Sequence, residues 1–323
     1  SLADAVTWVA RSLPARPPVP VLAGVLLSAD ADAGTITLSA FDYEVSAKIT
    51  VPADVEESGT VLVLGRLLAD ISRNLPAKPI DVSTDGNKVE VSCGSSRFSL
   101  LQMPVADYPS LPVAPEPSGS VDGHAFTQAV AQVSVAADRG DTLPILTGVR
   151  VEIEGDTMTL LATYRYRLAM RELTWRPNSS DISYVGLIPA RTLSETARAL
   201  GAAGSVDLAL GSSGSTDGLI GFEAGSRRTT SRLLDGEYPK VTSIFPTSSD
   251  TEAVVTTAEL VEAVKRVALV AERNTPVRLR FADGQVTIEA GTGEDAQASE
   301  AVGADITGPD IEIAFNPHFL LDG

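Results

Sequence analysis

A single cysteine, Cys93, and two histidines, His124 and His318, leave the 323-residue chain almost without soft metal ligands. A tetrahedral Cys-His site has no material here, and one thiol cannot form an internal disulfide, which fits a reducing cytoplasm. Aromatic residues are sparse, and no apolar run approaches the roughly 20 residues of a membrane span, so no membrane association is expected. The chemical motifs are missing as well: there is no G-x-x-x-x-G-K-[ST] phosphate loop, no H-E-x-x-H, no C-x-x-C and no G-x-S-x-G. Neither a catalytic residue nor a metal or other cofactor is therefore expected. Cations are the minority charge, 25 Lys and Arg against 42 Asp and Glu, and the resulting −17 opposes a protein that grips nucleic acid over its whole outer face. One restricted basic face remains compatible with that balance, so the places of the cations matter more than their number.

What the sequence does contain is self-similarity. Arg66, Leu68, Arg73 and Leu75 match Arg191, Leu193, Arg198 and Leu200, each displaced by 125 positions (191 minus 66). A third, weaker copy runs from Phe315 to Asp322, where His318 takes the place of Arg191, 127 positions on (318 minus 191), and Asp322 that of Asp70. The strings 20–25 and 144–149, and 106–109 and 236–239, recur at similar offsets. A period of this size is a domain, far above the roughly 20 to 50 residues of solenoid repeats, so each copy is expected to fold around its own core. Proline-rich 111–117 and the segment 245–250 are the expected linkers, giving domains 1–116, 117–247 and 248–323.

Each copy reads as α+β. Leu2, Val6, Val9 and Leu13 form one apolar helical stripe, as do Phe126, Val130 and Val133 and, in the third copy, Leu260, Val264 and Val267. Thr256 with Glu259 makes a capping-box pattern at the start of the last of these. Segments 35–39, 88–92, 158–162, 206–210 and 285–289 alternate or carry β-branched residues, as strands do. Asp85-Gly86, Gly155-Asp156 and Asp283-Gly284 stand as hairpin turns, and 291–295 reads as a flexible acidic loop. Each histidine reads as a surface or helix-start residue.

Cations keep off the apolar sides of these helices. Arg66 and Arg73, two turns apart, share one face while Leu68, Ile71 and Leu75 take the other, and Arg191 with Arg198 repeats the arrangement. Arg11, Lys265 and Arg266 also fall outside their stripes. One such helix is an ordinary solvated face. Recurrence over the copies points to a common basic band suited to phosphate contacts that carry no sequence information.

The strings 16–24, 96–100, 104–111, 161–168 and 234–239 resemble, over nearly the whole chain, the β subunit of bacterial DNA polymerase III, the sliding clamp, in an actinobacterial wording. The resemblance implies three similar clamp domains per subunit, with helices lining the inside and antiparallel sheets outside. It also implies a head-to-tail homodimer, a six-domain ring around double-stranded DNA. Such a processivity factor has no catalysis of its own. Its peptide pocket, between the second and third domains, takes short motifs of the replicative polymerase, the clamp loader, repair polymerases and ligase. The matching pocket positions are Leu146, Thr163, Arg165, Arg167, Leu168, Pro239, Ile244 and Phe319, of which Leu146 and Leu168 also suit a core. DNA contacts carry over to Arg16 and Arg73, with Arg139 and Arg198 added by proximity. The dimer contact carries over to Arg97, Phe98 and Leu100, meeting Leu269 and Val270 of the partner subunit.

Three departures from the family pattern matter. The sequence opens in the first helix without the strand that normally precedes it. It stops at Gly323 as the last helix begins, short of the strands that include the C-terminal pocket wall. These parts are expected to be omitted rather than deleted, because an open third domain would expose core surface. The third departure is Tyr164, where the family motif Ala-Thr-Asp-x-x-Arg-Leu has aspartate. The alternative reading is a paralogue with an altered pocket, serving as an interaction scaffold or an inhibitor-tolerant clamp. Genomic neighbourhood or a complementation test separates the two.

Overall fold

The computed structural model describes residues 2–140, 143–211, 218–271, 275–291 and 296–323. Among them are six α-helices: α1 (Leu2–Ala10), α2 (Gly65–Asn74), α3 (Gly123–Ser134), α4 (Ala190–Leu200), α5 (Thr257–Val267) and α6 (Pro317–Asp322). The repeat reappears in the order of the antiparallel strands. In the first copy Val45–Pro52, Thr35–Phe41, Gly24–Asp30 and Gly59–Leu64 lie side by side in that order. Arg167–Thr174, Thr157–Tyr164, Gly148–Glu154 and Ser183–Pro189 do so in the second, and Ala298–Thr307, Gln285–Ala290, Val277–Ala282 and Ile311–Phe315 in the third. Each time a helix follows the last-named strand, α2, α4 or α6, and these are the segments whose landmarks recur in sequence.

The chain divides into two compact units, Ser1–Ala162 with Ala169–Tyr238, and Thr163–Leu168 with Pro239–Gly323. Within the first unit the expectation of one core per copy is not met. Arg227–Arg232 pairs antiparallel with Val45–Pro52, so the first two copies share a nine-stranded sheet. Their buried apolar side chains form one continuous cluster that includes Val6, Leu38, Leu193 and Phe222. The cause is edge chemistry, since pairing two edge strands satisfies backbone groups that would otherwise stay open. The buried hydroxyls of Ser46 and Thr230 hydrogen-bond to each other across this seam.

The helical stripes behave as read: Val6, Val9 and Leu13, and Phe126, Val130 and Val133, are buried. α1 packs beside α2, and α3 beside α4. The second pair is drawn close at two glycines, where a Cβ on Gly123 would stand 2.5 Å from the Gly201 carbonyl oxygen. The Thr127 hydroxyl fastens α3 to α4 by donating to the Ala197 carbonyl at 2.9 Å.

The second unit has its own cluster around Val264, Val267, Leu279 and Ile288. Here the capping box does not form, because the Thr256 side chain makes no capping hydrogen bond. Thr256 through Glu259 are exposed, so the amides the box would have taken are open to solvent. Asp122 does cap α3, accepting from Ala125 N at 2.8 Å, and Asn316 caps α6, accepting from His318 N at 2.9 Å. His124 and His318 are exposed in the first turns of those helices. Among the described residues no helix is long and apolar enough to cross a membrane. Most of the expected acidic loop, residues 292–295, lies outside the described residues.

Two tyrosines are held in their neutral form. Burial pushes the Tyr184 hydroxyl up to about 12, and burial together with the charge of Asp42 does the same to Tyr108, also to about 12. The folded chain binds these protons more tightly than the unfolded chain does. Stability is therefore flat below the ordinary tyrosine value near pH 10 and falls as pH rises from about 10 to about 12. In an ultraviolet titration, two of the six tyrosines are expected to ionise only as the protein unfolds. Ionisation of all six near pH 10 with the fold intact would contradict this.

Candidate functional site

Seven of the eight pocket positions read from the sequence fall in the second unit, because the hairpin tip Thr163–Leu168 belongs with Pro239–Gly323; Leu146 belongs to the first. Among these seven is Arg167, whose side chain is 15% exposed. Its guanidinium pairs with Asp322 at 2.7 Å and lies over the Phe319 ring, 4.5 Å from the centroid. Both partners sit on α6, whose start is set by Pro317 and the Asn316 cap. The Arg167 Nε is buried without a hydrogen-bond partner.

The tip itself is a tight turn. The Thr163 hydroxyl donates to the Arg167 carbonyl at 2.8 Å. Arg165 has φ +47°, and its guanidinium stands 5.3 Å from the centroid of the Tyr164 ring. Tyr166 is 82% exposed, and Ile244 and Pro239 are exposed as well. Thr163, Leu168 and Phe319 are half-buried. In the first unit Leu146 is half-buried, and its carbonyl accepts from Asp138 N at 2.7 Å. The sequence reading did not name Asp322, which pairs with Arg167, among the pocket positions. Asp322 had one signal, its match to Asp70 in the repeat. These residues offer apolar and aromatic side chains with two guanidiniums, and among the described residues no nucleophile stands beside a base here.

The four arginines read as DNA contacts, Arg16, Arg73, Arg139 and Arg198, are all exposed in the first unit. Several helix cations are partly neutralised: Arg73 pairs with Asp70, Arg191 with Glu195 at 3.0 Å, Lys265 with Glu262 at 2.9 Å and Arg266 with Glu300. The hydrogen bond from Lys265 holds the Glu262 carboxyl below the usual range. Arg16, Arg139 and Arg198 form no ion pair among the described residues. Exposed pairs of this kind hold weakly, so phosphate can compete for the paired cations too.

Of the residues read as a dimer contact, Arg97 and Phe98 are exposed on the strand Ser96–Leu101, while Leu100 is 3% exposed and packs into the core. Side chains alternate along a strand, and Leu101, on the opposite face, is 67% exposed. Leu100 thus contributes no side chain to the surface. Leu269, just past α5, is 84% exposed, and its neighbour Val270 packs against the core of the second unit.

Three family models match the chain: DNA polymerase III beta subunit, N-terminal domain over residues 1–112, central domain over 120–240 and C-terminal domain over 242–323. A beta sliding clamp of Streptomyces coelicolor is 61% identical over 100% of this chain and 85% of its own length. One of Micrococcus luteus is 60% identical over 93% of this chain and 96% of its own. The crystal structure of the DNA polymerase sliding clamp from Bacillus subtilis superposes with a TM-score of 0.90 at 28% identity, covering 99% of this chain and 86% of its own.

Proposed function

We propose, from the premise that the chain belongs to the DNA polymerase III beta subunit family and is a DNA sliding clamp, that Thr163, Arg165, Arg167, Leu168, Pro239, Ile244 and Phe319 form the place where short segments of its partners dock. A sliding clamp encircles DNA and binds DNA polymerase. It is a non-catalytic processivity factor: topological linkage holds it on the duplex and leaves it free to slide. The observation that carries the docking reading is the group formed by Arg167, Phe319 and Asp322, an aromatic face fixed by an ion pair on a capped helix. Such a rigid face suits an apolar anchor of an incoming peptide.

In this reading the partners are the replicative polymerase, the clamp loader, repair polymerases and ligase, met in the cytoplasm, and Leu146 joins the pocket by resemblance alone. Duplex DNA is met without sequence preference by Arg16, Arg73, Arg139 and Arg198. Two subunits, each of three domains divided near 116 and 247, join through the strand bearing Arg97, Phe98 and Leu100 on one side and Leu269 with Val270 on the other.

The test is titration of a peptide copied from the polymerase of the same organism. Removing an aromatic anchor typically costs about 2 kcal/mol or more, so Phe319→Ala is expected to weaken the peptide roughly 30-fold while thermal stability stays near that of the parent. Unchanged affinity would move the docking site elsewhere.

A further inference from the structure

The first copy supplies an internal comparison for Tyr164. Its equivalent turn runs through Asp42, Tyr43 and Glu44, between Thr35–Phe41 and Val45–Pro52, as the tip runs between Thr157–Tyr164 and Arg167–Thr174. Tyr43 has φ +75° where Arg165 has +47°, so both turns carry a left-handed residue that is not glycine. In the first copy Asp42 supports that turn: its carboxylate accepts from Glu44 N at 2.9 Å and from Val45 N at 2.6 Å. An aspartate there does two things, capping the turn and setting a negative charge on its rim.

Tyr164 does neither. Its ring has no acceptor for two amides and no charge, and the Arg165 guanidinium lies over it instead. Arg165 forms no ion pair among the described residues, whereas Arg167 is neutralised by Asp322 at 2.7 Å. The tip therefore keeps one uncompensated positive charge, which an aspartate at 164 would cancel. We infer that Tyr164 and Arg165 form an anion-selecting lip of the docking site, one that favours partner segments carrying a carboxylate over otherwise identical uncharged ones. The Arg165 cation meets the carboxylate, and Tyr164 leaves that charge uncancelled. This inference rests on the docking reading above and adds to it the choice among partners.

The probe is the fluorescent polymerase-derived peptide made in matched pairs, with aspartate or asparagine at each position in turn. Each pair is titrated against the parent protein, Tyr164→Asp, Tyr164→Asn and Phe319→Ala. The parent is expected to prefer the aspartate member at one or more positions. Tyr164→Asp should reduce that preference by roughly three- to tenfold, the size of one charge pair a few ångströms apart at a protein surface, and less so as salt rises. Tyr164→Asn can cap the turn as Asp42 does but adds no charge, so it should keep the preference. Equal loss in both variants would make turn shape the determinant and overturn the lip. An unchanged preference in Tyr164→Asp would overturn it too. Failure of the docking reading looks different: Phe319→Ala would then bind both members of every pair as the parent does.

Discussion

Leu269→Asp is expected to turn a dimer into a monomer at micromolar concentration and to abolish retention on circular nicked DNA. The side chain is 84% exposed, just past the buried stripe that ends at Val267, so the fold does not need it and thermal stability should hardly change. Burying a leucine in a contact is worth about 1.5 to 3 kcal/mol, and a carboxylate in its place must be desolvated without a partner, which costs more. In a head-to-tail ring of two subunits the contact occurs twice, so one substitution weakens both joints. The dissociation constant is expected to rise at least roughly a thousandfold. The strand Ser96–Leu101, proposed for the other side of the joint, pairs with Lys88–Cys93 along one edge. Its outer edge offers backbone groups to a partner. Leu100→Asp serves as the contrast: because Leu100 is buried, it should lower the melting temperature, whereas Leu269→Asp should lower only the association. Light scattering and a DNA retention assay read both, and a Leu269→Asp protein that stays dimeric would remove this joint.

How much of this was legible in the sequence depends on the range of the interaction. The stripe of Val6, Val9 and Leu13 is local and periodic, so burial of one face follows from spacing. Arg66 and Arg191 could be matched because each opens the helix that follows the same strand of its copy. The seam between Ser46 and Thr230 could not be foreseen, since a pair 184 residues apart leaves no local mark, and the idea of one core per copy fell with it for the first two copies, while the third keeps its own. The Arg167–Asp322 pair has the same difficulty across 155 residues. Leu100 came from the resemblance as a residue of the dimer contact, and that its side chain turns inward while Leu101 faces out was not legible, because Phe-Ser-Leu-Leu fits either strand register and only the fold decides between them. The pattern at Thr256 and Glu259 permits a capping box, but exposure to water removes the need for it. For the proposed docking residues, the sequence supplied the positions by resemblance, and what Arg167 rests against became visible only in three dimensions.

Arg73→Glu combined with Arg198→Glu is expected to slow loading onto nicked circular DNA by at least roughly tenfold at moderate salt, with the dimer intact. Both side chains are exposed on helix faces opposite buried Leu68 and Leu193, so neither substitution opens the core. Each lost phosphate contact lowers the salt slope of binding by about 0.9, and two per subunit make roughly four per ring. Reversal goes beyond loss, because the chain already carries −17 and the added carboxylates repel the duplex. The two positions should not be equal. Arg73 shares its charge with Asp70, while Arg198 forms no ion pair among the described residues, so Arg198→Glu alone should impair loading more than Arg73→Glu alone. The Arg73 variant carries a small cost of its own, since Asp70 and a glutamate three residues later repel each other on one helix face by a few tenths of a kcal/mol. Measuring the loading rate across a salt series separates the two effects. A charge contact fades as salt rises, whereas a folding defect persists. If single and double variants load like the parent at every salt concentration, these arginines are ordinary solvated cations, and contact with DNA must be sought on another face.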